Sequence, residues 1–160
     1  MSANTPKESV WSYPRPPRVE AVDTRLCVIH EGSILADSAG GQRVLETSHP
    51  PCYYLPAGAV AWERLVPSQT RTLCEFKGQA RYWDLRCTDG RRIPDVCWMY
   101  ENPTRSHQAI AGMVSFYASQ VDACYVGEQR VRPQAGDFYG GWITDNIMGP
   151  FKGGPGTLGW

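Results

Sequence analysis

Glycine and proline recur so often along this 160-residue chain, sixteen and thirteen times, that long helices have little room. Proline removes a backbone donor and clashes with the preceding turn, and glycine carries a large entropic cost in a helix interior. Six Trp, eight Tyr and four Phe share the same short sequence. That aromatic load supplies a core, which separates the chain from disordered segments of similar Gly and Pro content. Breakers and aromatics together predict short strands joined by tight turns. The expected fold class is mainly β, a compact antiparallel domain of short strands and hairpins with at most one or two short helices.

Charge narrows the partners. Sixteen Lys and Arg balance sixteen Asp and Glu, so the basic excess of a nucleic-acid binder is missing and no nucleic-acid partner is expected. The chain holds no run of about 18 apolar residues, so no membrane partner is expected. The segment up to Arg18 carries Lys7, Glu8 and Arg15 and lacks the apolar stretch of a secretory signal, which predicts a cytoplasmic protein. There the six cysteines, Cys27, Cys52, Cys74, Cys87, Cys97 and Cys124, are expected as reduced thiols. No two are spaced as CxxC. Cys27 with His30, and His49 with Cys52, lie on strand-like segments, where neighbours three apart point to opposite faces. No metal and no cofactor are therefore expected.

Along the chain, residues 1–16 read as an N-terminal arm, polar at first and then stiffened by Pro14, Pro16 and Pro17. Such an arm suits either a strap over a sheet edge or a PxxP-type ligand. Residues 17–135 read as the domain. Arg25–Ala36 predicts a hairpin turning at Glu31-Gly32, Arg43–Thr47 and Cys52–Leu55 predict strands, and Ala57–Leu65 holds one helical turn. Gln79–Cys87 predicts a strand with Trp83, Leu85 and Cys87 inward and Tyr82, Asp84 and Arg86 as a polar row. Asp89-Gly90 is a two-residue hairpin signal leading into Val96–Glu101, where Val96, Trp98 and Tyr100 share a face. A short helix is expected over Thr104–Ala111, and Met113–Tyr117 and Val121–Val126 are expected to pair with each other. Residues 136–160 hold eight glycines and five aromatics, too many aromatics for a flexible linker, and predict an ordered tail packed on the domain.

A family resemblance is carried by an ordered series of segments. These are Arg43–Pro56 (RVLETSHPPCYYLP), Thr72–Trp83 (TLCEFKGQARYW), Cys97–Pro103 (CWMYENP), Ile110–Tyr117 and Val121–Val126. Over roughly residues 17–126 the chain resembles the domain of unknown function 427 family, and Trp11–Arg18, Phe138–Thr144 and Gly149–Trp160 resemble its longer members. The resemblance implies an antiparallel β-tent fold, the architecture of the B-type methionine sulfoxide reductases and the drug-binding domain of cereblon. Those relatives hold zinc with two CxxC pairs, which this sequence lacks. The nucleotidyltransferase label sometimes attached to the family implies clustered Asp residues for two metals, and no close DxD pair occurs here.

Three residues suit acid–base chemistry. Glu46 and His49 stand three apart at a strand end, aimed by Pro50-Pro51, where a carboxylate can orient an imidazole. Lys77 is the single lysine of the domain in a chain with only Lys7 and Lys152 besides, which suits an amine that exchanges a proton or a compact charge for an anion. Otherwise His49 bonds turn backbone, Glu46 pairs with an arginine and Lys77 is a surface residue. Cys74 is either a thiolate nucleophile stabilised by Lys77 or a buried structural thiol. Tyr53, Tyr54, Trp83, Trp98, Tyr100, Glu101 and Trp142 are the expected ligand-binding residues, with the tail closing over the pocket. The leading expectation is a small-molecule-binding protein acting by cofactor-independent acid–base chemistry, as a metal-free lyase, isomerase or hydrolase. The alternatives are a binding module without turnover and a structural, homodimerising domain.

Overall fold

A computed structural model describes residues 6–136, 138–154, 156–157 and 159–160. The first five residues of the arm and positions 137, 155 and 158 of the tail lie outside the described residues. In chain order the strands are β1 (Glu8–Ser9), β2 (Arg18–Val22), β3 (Leu26–His30), β4 (Ser33–Ser38), β5 (Gly41–Leu45) and β6 (Cys52–Tyr54). They continue as β7 (Leu65–Cys74), β8 (Gly78–Arg86), β9 (Arg92–Met99), β10 (Val114–Phe116), β11 (Ala123–Val126) and β12 (Gln129–Arg130). The last are β13 (Arg132–Pro133), β14 (Trp142–Ile143) and β15 (Ile147–Met148). Helical structure among the described residues is confined to short 3₁₀ segments at Val10–Ser12, Ala57–Ala59, Trp62–Arg64 and Arg105–Ile110. The protein is mainly β, and the strand pairs are antiparallel except β1 with β15.

Two four-stranded sheets, ordered β10-β9-β8-β7 and β12-β11-β3-β4, enclose the main core, which holds Leu26, Val28, Leu35, Leu85, Cys97 and Phe116. A three-stranded sheet, β2-β5-β6, completes the frame. The β3–β4 turn forms because Glu31 and Gly32 both adopt positive φ (53° and 73°), as a tight hairpin requires. Met113–Tyr117 and Val121–Val126 do not pair with each other. β10 joins β9 and β11 joins β3, because β3 is buried along nearly its whole length and needs a partner on each edge.

The β8–β9 connection departs from a two-residue turn, and the departure sets the site. Cys87 N–H donates to Arg91 O (2.8 Å) and Gly90 N–H to Cys87 O (3.0 Å), so the loop is Thr88-Asp89-Gly90, with Gly90 at φ 88°. One extra loop residue moves every β9 side chain to the other face. A further register shift of two residues between Leu85 and Trp83, which keeps that facing, sets Trp98 opposite Tyr82 and Trp83 opposite Cys97. An irregularity at Asp95 (φ 51°) then leaves Val96 in the main core while Trp98 and Tyr100 face away from it. Tyr82 is consequently no member of a solvated polar row. It is 5% exposed in a second, aromatic core with Tyr54, Trp98, Tyr100 and Tyr117.

Candidate functional site

Over this second core lies a cavity of about 400 Å³, within the ~300–1,000 Å³ range of small-molecule sites. Tyr54, Tyr82, Trp98, Tyr100 and Tyr117 line it from the core side. Trp98 Nε1–H donates to the Tyr54 hydroxyl (3.1 Å), and the Tyr117 hydroxyl donates to Phe138 O (2.8 Å). Tyr82 exchanges a hydrogen bond with Thr72 Oγ1 (2.9 Å). The Tyr100 hydroxyl has no protein partner among the described residues, and Tyr100 is 6% exposed. Burial pushes the Tyr54, Tyr100 and Tyr117 phenols upward, so they meet a ligand as neutral hydroxyls.

Glu46, His49 and Lys77 all line this cavity. Glu46 and His49 close one turn, with His49 N–H donating to Glu46 O (3.0 Å). Its third residue, Ser48, holds φ 71°, as type II geometry demands, although Ser48 is not glycine. The arm fixes this turn from outside: Ser48 N–H donates to Val10 O (3.1 Å) and Thr47 N–H to Pro14 O (3.3 Å). A left-handed non-glycine residue costs of order ~1–3 kcal/mol. Ser48→Gly is therefore expected to hold stability within ~1 kcal/mol, and Ser48→Val to lose ~1–3 kcal/mol, read from urea unfolding.

Thr47 O accepts a hydrogen bond from His49 Nδ1 (2.9 Å) and another from Arg15 Nη2 (3.0 Å). A carbonyl only accepts, so Nδ1 carries the proton and neutral His49 keeps its lone pair on Nε2. Glu46 lies 3.7 Å from Arg15 and 3.9 Å from Lys77, an ion cluster at longer than hydrogen-bond distance. Lys77 occupies the turn between β7 and β8, and its carbonyl accepts from Thr104 N–H (3.0 Å). That bond packs the Arg105–Ile110 segment against the turn and holds it in place.

Burial lowers the pKa of His49, with Lys152 and Arg15 adding to the effect against Thr47 O and Glu46. Burial and then Lys77 lower that of His107, whose Nε2 is buried without a partner. In the unfolded chain both titrate near ~6.5. Below that pH the unfolded chain binds more protons than the folded one, so stability present above pH ~6.5 is lost as the pH falls through the folded values. The urea midpoint is expected to drop between pH 7.5 and pH 5, and His49→Gln to make that drop shallower. An unchanged slope in the variant would contradict the neutral assignment.

The remaining sequence candidates lie elsewhere. Tyr53 and Tyr54 are adjacent on β6, where successive side chains face opposite ways. Tyr54 faces the cavity, whereas Tyr53 stacks on Trp142 with ring centroids 5.3 Å apart. Trp83 and Trp142 belong to the main core, and Glu101 is exposed, 3.2 Å from Arg81. Residues not singled out from the sequence as binding residues take their places: Tyr82, Tyr117, Cys52, Gln134, Arg15 and Lys152. All six cysteines are unpaired. Cys74 lines the cavity beside Cys52, and burial lifts the Cys52 thiol to about 11, which keeps it protonated.

The model of the Domain of unknown function (DUF427) matches residues 18–127. The chain belongs to this family. No curated protein matches it. The matched DUF427 span supplies the aromatic floor, Glu46, His49 and Lys77, while Arg15 and the tail complete the cavity from outside it. Buried Gln134 ties the tail down, accepting from Gly141 N–H (3.0 Å) and donating to Lys152 O (2.8 Å). At Gly140 an added Cβ would clash with the edge of the Trp98 ring and stand 3.2 Å from Tyr117 Cδ1, so the tail crosses the aromatic floor at contact distance. Away from the cavity, His30, Glu31 and Cys87 bring possible metal-ligand atoms within 4.8 Å of one another. There both Glu31 carboxylate oxygens already accept from Thr88, and His30 Nδ1 accepts from Asp122 N–H (3.1 Å). No helix among the described residues is long and apolar enough to cross a membrane.

Proposed function

We propose that this DUF427 protein binds a small organic molecule in the aromatic cavity and acts on it by acid–base chemistry, as a lyase, isomerase or hydrolase. The observation that carries the reading is the convergence of Glu46, His49 and Lys77 on one cavity floored by tyrosines and Trp98. His49 Nε2 takes a proton, because Nδ1 is held by Thr47 O and burial keeps the ring neutral near pH 7. Lys77 stabilises negative charge as it develops on the substrate, and Glu46 holds the ammonium in position. Tyr100 offers a neutral hydroxyl to a substrate oxygen. The Lys77 and Glu46 side chains are only 13% and 21% exposed, which strengthens the interactions they make.

The test is a thermal-shift screen of a metabolite library against the full chain, followed by NMR of each hit with the protein over hours. Acid–base catalysis predicts hits that are consumed or exchange carbon-bound protons with solvent deuterium. Hits that bind unchanged and without exchange would identify a binding module instead. A library without hits would remove the ligand site altogether.

A further inference from the structure

The charged side chains of the cavity are taken up by one another and by the tail. Glu46 is shared by Arg15 and Lys77, Lys152 donates to a main-chain oxygen of Trp160 (3.5 Å), and Glu75 is exposed. The hydrogen-bonding capacity left over lies on neutral groups. Tyr54 is fully buried; its oxygen accepts from Trp98 Nε1–H (3.1 Å), and its own O–H has no acceptor among the described residues. Tyr100 is 6% exposed, and its hydroxyl has no partner among those residues. Both line the cavity, as does His49 with its proton-free Nε2. A buried hydroxyl costs free energy until it finds a partner, so two of them beside one cavity are matched by an acceptor oxygen on a ligand.

The two phenols are neighbours. Burial, and then the Tyr100 phenol, push Tyr54 upward. Burial, followed by Cys74, Tyr82, Cys52 and Glu46, pushes Tyr100 upward. The Tyr100 hydroxyl therefore stands in the field of the carboxylate that also acts on His49 and faces Lys77. Both phenols keep their protons at neutral pH, and the indole N–H on the Tyr54 oxygen makes that O–H the stronger donor. Neutral donors held beside an unprotonated base suit an oxygen that gains negative charge during reaction.

Resting on the acid–base reading above, we propose that the substrate is a small carbonyl compound with an acidic α C–H on a flat apolar frame, and that the reaction is an isomerisation through its enolate. The carbonyl oxygen accepts from Tyr54 and Tyr100, and the frame lies against Trp98. His49 Nε2 takes the α proton. The C–H pair becomes a carbon–carbon π bond, and the carbonyl π pair moves onto oxygen, where the two hydroxyls hold it. Return of the proton to the same carbon gives exchange with solvent. Its return to the γ carbon of a β,γ-unsaturated ketone gives the conjugated isomer, with no oxidant, reductant or second substrate.

Proton NMR of 2-tetralone with the full chain in deuterium oxide tests the chemistry, and calorimetric titration with 2-naphthol, a planar analogue of its enol, tests the site. The benzylic α protons are expected to exchange ~10²-fold or more faster than with His49→Gln. Tyr100→Phe should lower the saturated exchange rate ~10-fold or more as well as raise KM, since the enolate draws on the donor more than the ketone does. It should also weaken 2-naphthol binding ~3-fold or more. Tyr54→Phe should act in the same direction; it also orphans Trp98 Nε1–H, so Tyr100→Phe is the deciding variant. Binding of 2-naphthol without accelerated exchange, or exchange indifferent to Tyr100→Phe, would overturn the enolate assignment and leave the ligand site standing. Turnover of screen hits that lack an enolisable carbonyl would overturn the substrate class and leave the acid–base reading intact. Failure of both probes, together with a screen without hits, would overturn the ligand site itself.

Discussion

Trp142→Ala is expected to cost about 3–5 kcal/mol, the range for removing a large aromatic from a packed core. Trp142 lies beyond the matched DUF427 span, yet it is fully buried in the main core, stacks on Tyr53 and donates Nε1–H to Phe116 O (2.9 Å). Its backbone N–H donates to Pro51 O (2.8 Å), so the segment is tied by main chain as well. Domains of this size hold only ~5–15 kcal/mol in total, and truncation after Ala135 is expected to abolish cooperative unfolding. Trp142→Phe separates the contributions: it keeps an aromatic face on Tyr53 and loses the hydrogen bond, at a cost nearer ~1–3 kcal/mol for the orphaned carbonyl and smaller ring. Urea midpoints in the order wild type, Phe, Ala would support this account. An alanine variant as stable as the wild type would mean that the tail is an appendage.

The second large effect concerns chemistry. On a substrate found by the screen, His49→Gln is expected to lower kcat/KM by ~10²–10⁴-fold, the usual worth of a positioned acid or base. Glutamine can still donate to Thr47 O, but it has no lone pair that takes a proton near pH 7. Lys77→Met removes charge stabilisation and is expected to act mainly on kcat where the charge appears only in the transition state. Tyr100→Phe deletes a hydroxyl that has no hydrogen-bond partner among the described residues, so folding should be unaffected while KM rises. Equal activity in all three variants would contradict the acid–base reading.

The fold class was legible because Gly, Pro and aromatic content leave short strands as the economical solution. Hairpins at Glu31-Gly32 and around Asp89-Gly90 were marked by their turn residues. Register was not legible. Asp89-Gly90 reads as a two-residue turn, whereas Thr88 joins the loop, and that single residue exchanges the faces of β9. Trp98 thereby leaves Trp83 and meets Tyr82, which moves the aromatic floor to the opposite side of the sheet. Strand alternation could have separated Tyr53 from Tyr54, since neighbours on one strand cannot wall one pocket. Arg15, Gln134 and Lys152 gave no local signal, because they reach the cavity through long-range packing of arm and tail. Glu46 and His49 were legible through spacing, and Lys77 through the scarcity of lysine.

Nitrogen NMR of ¹⁵N-histidine-labelled protein at pH 7, with and without a hit from the screen, tests the central claim most directly. The account predicts a neutral His49 ring with its proton on Nδ1 and an unprotonated Nε2 whose resonance moves when the ligand binds. A cationic ring, a proton on Nε2, or a His49 signal indifferent to every bound ligand would contradict it.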